Sequence, residues 1–398
     1  MMFQGIRVLE VSAWVMVPAA GVLLSDFGAE VIKVEHPRTG DPARGLLTGG
    51  LSPSVGQVNM MVEQTNRGKR SIGVDIAKPA GREIIYELAA SCDVFLTSLL
   101  PDVRRRLGID VADLRIHNPS IIYAKADAVG PNGKEAGKPG FDASVFFGRA
   151  GILNSMDKNG NAPDPRPGFG DKTAALSLAY GIAGALFRRE RTDEASVVDV
   201  SLLSSAMWVA SSDILYSWVL DRDFSRVQRP LTNPLSRSYS TADGRRIMLS
   251  MLASDRWWPE LCRHIGREDL LNDERFADAG ARAEHAEACS DELATTFRSA
   301  PLEEWRKRLA SLKGPWEVVQ NSREVVDDTQ ALANGFIASV DHPTGNEVRA
   351  IRSPVRIDDK PHPLATAPEA WQDTEAVLHE LGYGWDEIAE LQNEGILP

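Results

Sequence analysis

Short β-branched runs alternate with helical stretches through the first half of the chain, and this alternation constrains the fold more than any other feature. Gly5-Ile-Arg-Val-Leu-Glu-Val-Ser12 reads as a short buried strand. Pro18 to Phe27 reads as a helix stopped by Gly28, and Glu30-Val-Ile-Lys-Val-Glu35 as the next strand. That order makes a βαβ unit, which demands a parallel strand pair and a right-handed crossover. The pattern then repeats. Ile72–Asp75, Asp93–Thr97 and Ser120–Ala124 read as strands, and Pro79–Ala90 as an amphipathic helix. Ser196–Ser201 is a further strand, followed by an apolar helix over Leu202–Val219. The expected fold class is α/β, with a doubly wound sheet. No G-x-G-x-x-G joins the first strand to the first helix, so a dinucleotide site is not expected there.

At 398 residues the chain exceeds one ordinary core, which predicts two domains. Residues 1–220 form the large one. Asp221 to Pro234 is polar and proline-bearing and reads as a linker out of it. Residues 221–333 read as a smaller α+β domain. It opens on a hairpin turning at Asp243-Gly244, with helices near Trp257–Ile265, His285–Arg298 and Leu302–Leu312. Trp257, Trp258 and Trp305 read as core anchors. Over 334–398 strands return at Phe336–Asp341, Glu347–Ile351 and Val355–Ile357. Spacers at Pro354 and Pro361 to Pro368 follow, then helices at Thr374–Leu381 and Trp385–Leu391.

One carboxylate stands out. Pro165, Pro167, Gly168 and Gly170 keep the backbone irregular, and from Lys172 to about Arg189 the sequence is helical and apolar. Asp171 sits at the junction. It can be a helix N-cap. A phosphate-loop reading of Gly170-Asp171-Lys172-Thr173 fails, because Arg166 and Asp171 stand where that motif needs glycines. The third reading is a catalytic carboxylate kept ionised by the helix dipole and free N–H groups, a competent nucleophile toward a carbonyl. Gly181 and Gly184, one turn apart, suit close approach by another backbone.

Composition excludes several classes. A net charge of −12 argues against nucleic acid as a partner. An anionic ligand then needs a local basic patch. Lys69, Arg70 and Arg104 to Arg106 lie in loops of the expected sheet, where such folds bind phosphates, although each alone reads as solvated surface. The three cysteines, Cys92, Cys262 and Cys289, form no CxxC, and the seven histidines form no H-x-x-x-H pair, so no metal is expected. No apolar run approaches the roughly 20 residues that span a bilayer, and the N-terminus has no signal-peptide pattern, which predicts a cytoplasmic protein with no membrane partner.

The order of several short motifs resembles the family III CoA-transferases, a group that also contains the α-methylacyl-CoA racemases. The motifs are Gly5-Ile-Arg-Val-Leu-Glu10, Gly28-Ala-Glu-Val-Ile-Lys-Val-Glu35, Gly40-Asp41 with Arg44, and Asn66 with Lys69-Arg70-Ser71-Ile72. Gly140-Phe-Asp142, Gly170-Asp171, Thr241-Ala-Asp-Gly244 and Glu380-Leu-Gly-Tyr-Gly384 complete them. The resemblance implies a Rossmann-like large domain built from both chain ends, a small domain between them, and an interlocked homodimer. It implies an acyl-CoA:carboxylate CoA-transferase with no permanently bound cofactor and with acyl-CoA and a carboxylic acid as substrates. The family's catalytic aspartate falls on Asp171. Arg106 matches a CoA-contacting arginine, and Val74 and Leu107 match adenine-pocket positions. His36 stands where arginine is common, and Lys138 lies near a lysine that contacts CoA. Val15 and Met16 replace a more polar pair, and Ser98, beside Leu99, replaces an asparagine. Arg229-Pro-Leu-Thr-Asn-Pro234 stands in place of a glycine-rich loop, which argues against formyl or oxalyl chemistry. Racemases need a histidine where this chain has Phe141, and Phe cannot relay a proton. Asp142 can be structural or can act near the thioester. A non-catalytic acyl-CoA binding protein of the same fold is the other alternative. Trp14, Met16, Phe146, Phe147 and Met156 are candidates for an acyl pocket.

Overall fold

The computed structural model describes residues 1–46, 54–55, 58–157, 161–224, 232–358 and 362–398. Arg229, Pro230, Leu231 and Pro361 lie outside the described residues. The chain divides into two compact units, Met1–Val227 with Gln330–Pro398, and Gln228–Thr329.

The larger unit begins with β1 (Arg7–Val11), α1 (Met16–Asp26) and β2 (Glu30–Glu35). A hairpin of β3 (Ser54–Val55) and β4 (Val58–Asn59) leads into α2 (Met60–Asn66) and β5 (Arg70–Gly73). Then come α3 (Pro79–Ala90), β6 (Val94–Thr97), α4 (Pro101–Leu107), α5 (Val111–His117) and β7 (Ile122–Asp127). Six strands, with β8 (Val197–Ser201), form one sheet in the order β5-β2-β1-β6-β7-β8, and every pair in it is parallel. This is the Rossmann-like order, with the first strand central and the winding direction reversing beside it.

Alternation along the strands builds two cores. Val8, Val94, Leu96, Ile122 and Ala124 face one cluster, which α1 and the later helices cover. Leu9, Ile32, Phe95 and Tyr123 face the other, closed by α3 and by the chain's C-terminal end. Each such side chain contributes about 1.5–3 kcal/mol on burial. The C-terminal helices α16 (Thr374–Leu381) and α17 (Trp385–Asn393) add Val377, Leu378 and Ile388 to this second core. The Ser71 and Gly73 N–H groups donate to Asp373 and Thr374, so both chain ends meet at the β5 edge.

Three elements differ from the sequence reading. The apolar stretch after β8 is two helices, α8 (Leu202–Val209) and α9 (Ser211–Leu220), separated at Ala210. The long helix α7 runs from Phe169 to Thr192, so it begins before Lys172 and passes Arg189. Val355–Ile357 forms no strand, with only a single bridge residue at Ile357. In α7 a Cβ on Gly181 would lie 2.7 Å from the Val198 side chain, whereas Gly184 faces nothing within 4 Å. The close neighbour is therefore a strand side chain at one glycine, not a helix backbone along both.

In the smaller unit β9 (Ser238–Ser240), β10 (Arg246–Leu249) and β11 (Trp316–Val318) form an antiparallel sheet, with Gly244 at φ +73° in the hairpin turn. Trp258 and Trp305 are buried in its core, and Trp257 packs against them from the edge. In the larger unit β12 (Ile337–Asp341) and β13 (Glu347–Ile351) pair antiparallel.

Candidate active site

A crevice of about 250 Å³ opens at the C-terminal ends of β1, β6 and β7. This is the point where the sheet's winding reverses, the place where open α/β sheets bind ligands. Trp14 and Val15 reach it from the loop after β1, Met16 from the start of α1, and Ser98 and Leu100 from the loop after β6. Asp127 enters from the end of β7, Phe141 from the following loop, and Asp171 from the first turn of α7.

A buried charge network backs the Trp14 loop. Glu10 and Lys33 stand opposite each other on β1 and β2, and both side chains are fully buried. Lys33 Nζ reaches Glu10 at 3.1 Å and Asp41 at 2.8 Å, and Lys69 Nζ reaches Glu10 at 2.8 Å. Burial alone raises the Glu10 carboxyl, but Lys69 and Lys33 outweigh it and hold it below its ordinary range. Burial also draws the Lys69 ammonium down to about 8 against the pull of Glu10. Lys69 is therefore a strut of this buried network and not a solvated residue. Asp41 Oδ1 accepts the Trp14 N–H at 3.1 Å. That bond helps hold Trp14 at φ +71°, a backbone conformation that non-glycine residues rarely keep. Its ring meets Phe141 edge to face, centroids 5.9 Å apart, to form an aromatic wall.

Asp171 is partly buried at the start of α7. It is not the N-cap. Gly168, at φ +88°, holds that position and has no side chain to cap with. The cap comes instead from Asp142, on the wide π-helical turn Asp142–Arg149. Asp142 Oδ2 accepts the Gly168 N–H at 2.7 Å and Oδ1 accepts the Gly170 N–H at 3.1 Å. The expected dipole and amide stabilisation of Asp171 is thereby reversed. Burial, then the Asp142 charge, pushes the Asp171 carboxyl up to about 7, with Lys172 opposing them. The carboxylate thus sits half-ionised near neutrality. Asp127 is also raised by burial, against the Gly130 N–H it accepts at 2.6 Å.

Whole-chain comparison identifies the family. The sequence model of CoA-transferase family III matches residues 3–374. The chain belongs to CoA-transferase family III.

This family III transferase is 30% identical, over the full length of both chains, to (R)-2-hydroxy-4-methylpentanoate CoA-transferase of Clostridioides difficile. It is equally similar, at 30% over 99% of this chain and 96% of the other, to cinnamoyl-CoA:phenyllactate CoA-transferase of Clostridium sporogenes. The crystal structure of a CaiB/BaiF family protein from Brucella suis superposes with a TM-score of 0.83, at 27% identity, over 95% of this chain and 99% of that one.

Among the expected CoA contacts, the structure brings Val15, Met16 and Ser98 to the crevice together with Asp171. The Ser98 hydroxyl oxygen also accepts the Ala13 N–H, which ties the two loops together. Val74, Leu99 and Leu107 lie outside the crevice. Val74 is buried in the second core, and Leu99 and Leu107 pack against it from the same side. His36, Arg106 and Lys138 are exposed and do not line the crevice. Arg70 is paired with Glu30 and Glu380, Arg104 with Asp110, Arg105 with Asp102, and Lys138 with Glu135. Arg106 makes no ion pair among the described residues, which leaves it the available cation of the group. Phe146 and Phe147 are core residues, and Met156 is exposed away from the crevice. Sequence reasoning missed Asp127 and Leu100. The signal for both was their place at a strand's C-terminal end, Asp127 as the last residue of β7 and Leu100 in the loop after β6. Among the described residues no group of His, Cys, Asp and Glu could hold a metal ion, and no helix is long and apolar enough to cross a membrane.

Proposed function

We propose that this transferase moves CoA from an acyl-CoA thioester to an acceptor carboxylic acid through covalent intermediates on Asp171. One observation carries the reading: a partly buried carboxylate, held near neutral pKa on a rigid helix turn, opens into the crevice at the sheet's switch point. In the first step a carboxylate oxygen of Asp171 attacks the thioester carbonyl. The C–S bond breaks, which leaves a mixed anhydride and CoA thiolate. The thiolate attacks the aspartyl carbonyl, releases the donor acid as its carboxylate, and forms an aspartyl-CoA thioester. The acceptor carboxylate repeats the sequence in reverse and restores Asp171, with no net proton change. Holding the thiolate beside the anhydride makes each trapping step effectively intramolecular.

The oxyanions formed on the way are not expected to use the Gly168 and Gly170 amides, because Asp142 occupies them. The crevice is small beside the roughly 300–1,000 Å³ of sites that enclose a whole drug-sized ligand. It suits the reacting acyl end, with the CoA nucleotide lying toward Arg106, His36 and Lys138 and its adenine near Val74, Leu99 and Leu107.

Substrate class follows from the lining. Trp14, Met16, Leu100, Phe141 and Leu202 make it apolar, and no Lys or Arg is among the described residues that line it. A second carboxylate on the substrate would meet Asp127 and Asp171 without a countercharge, so monocarboxylic acids with apolar side chains are favoured. The two clostridial relatives are named for substrates of that kind. No histidine is among the described lining residues, and Phe141 occupies the relevant wall, which favours transfer over racemisation.

Tyr180, Phe187, Trp208, Leu215, Trp218 and Val219 leave large apolar surfaces exposed on α7 to α9. A stable monomer rarely shows so much, which supports a homodimer of the interlocked kind. Three buried free thiols suit a cytoplasmic setting.

The test is chemical. The full-length protein is incubated with an acyl-CoA and hydroxylamine, and the adduct is mapped by mass spectrometry. A hydroxamate on Asp171, and loss of turnover in a folded Asp171→Ala, are the expected results. An unlabelled Asp171, or an active Asp171→Ala, would sink the reading.

A further inference from the structure

Asp142 is 4% exposed, and its carboxylate points at the first turn of α7. The two amides it accepts are the donors that a helix start offers to its own N-cap or to an incoming anion. The approach is close. A Cβ on Gly170 would lie 2.2 Å from both Asp142 Oδ1 and the Phe146 ring, so the helix start and the π-helical turn are fitted to each other. Capping alone would be met as well by Ser, Thr or Asn at the N-cap itself. The chain instead has glycine there and brings a carboxyl group from another element, itself pushed up by burial against the amides it accepts, next to the residue expected to become acylated.

We infer that Asp142 is a positioning residue: it occupies the Gly168 and Gly170 amides, fixes the turn that aims Asp171 into the crevice, and denies Asp171 the helix-end stabilisation that would blunt its nucleophilicity. The inference rests on Asp171 being the acylated carboxylate. A carboxylate that is not stabilised by donors is more basic and a stronger nucleophile. The charged groups around Asp171 are few. Asp142 acts from the π-helical turn, Lys172 from α7 itself, and Asp127 shares the crevice from β7. Lys172 in turn feels Arg67 on the loop after α2. Asp142 itself faces backbone N–H groups of Gly168, Phe169, Gly170 and Asp171.

The experiment follows acylation of Asp171 across pH 5 to 9, with the full-length protein, an acyl-CoA and the hydroxylamine trap. Wild type should label with a midpoint near pH 7. Asp142→Asn keeps the shape and removes the charge, so its midpoint should fall by about one unit or more. Its plateau rate should fall on the order of tenfold, because the new amide NH₂ faces one of the two helix N–H donors and loosens the aim. Wild-type midpoint and rate in Asp142→Asn overturn the inference. Should that variant not fold, the wild-type profile alone decides, since labelling already complete at pH 5, as an ordinary carboxyl value of about 4 gives, also overturns it. No label on wild-type Asp171 at any pH removes the underlying reading, whereas label with an unmoved midpoint removes this inference alone.

Discussion

Replacing Asp171 by Asn should stabilise the protein at alkaline pH while it abolishes transfer. In the unfolded chain the carboxyl ionises at its ordinary value of 3.8, and in the fold it ionises at about 7. Below pH 4 both states keep the proton, and the position costs nothing. Between pH 4 and 7 the unfolded chain loses its proton first, so the folded state falls progressively behind. Above pH 7 the full penalty is present. At 1.36 kcal/mol per unit, the interval corresponds to about 4 kcal/mol. Water reaching the open side of the crevice reduces this, and about 2–4 kcal/mol is expected. Asn carries no charge, so Asp171→Asn should exceed wild type by only about 1 kcal/mol at pH 4.5 and by the full amount at pH 8.5. Urea unfolding at both pH values, at one fixed protein concentration because a dimer couples unfolding to concentration, measures the difference. Equal or lower stability of the variant at pH 8.5 would refute the claim that burial and Asp142 strain this carboxylate.

Three other substitutions report on separate parts of the site. Gly170→Ala puts a methyl group 2.2 Å from Asp142 Oδ1 and the Phe146 ring. It should cost about 1–3 kcal/mol in urea unfolding and remove most Asp171 labelling; a neutral effect would mean that the helix start can shift freely. Lys33→Met strands the buried Glu10 and Asp41 with Lys69 as their remaining cation. A loss of about 3–5 kcal/mol is expected by the same measurement, and a loss under about 1 kcal/mol would contradict the network's role. Arg106→Ala should raise KM for the CoA ester about tenfold, the equivalent of roughly 1.4 kcal/mol, with kcat nearly unchanged. An unchanged KM would place the CoA phosphates elsewhere.

How much was legible in the chain depends on range. The strands β1, β2 and β6, the hairpin at Asp243-Gly244 and the helices after Pro79 and Thr374 were legible because periodicity and turn residues act over a few neighbours. Asp171 was legible as well, since a Pro/Gly-rich break followed by an apolar helix marks a junction wherever it occurs. Val15, Met16 and Ser98 were named from the family resemblance, and the fold brings them to the strand ends where such sheets bind ligands. The sequence by itself therefore determined the parallel sheet and pointed to Asp171 as the residue to suspect.

Tertiary structure decided what that residue is like. Sequence reasoning assigned the α7 amides to Asp171, but Asp142, far away along the chain, takes them. It treated Lys69 as surface, whereas Glu10 holds it in a buried ion pair. Both outcomes turn on charges that meet only after folding. A local pattern records which groups are neighbours along the chain, but the energy of a buried charge depends on the groups that surround it in space and on how little water remains between them.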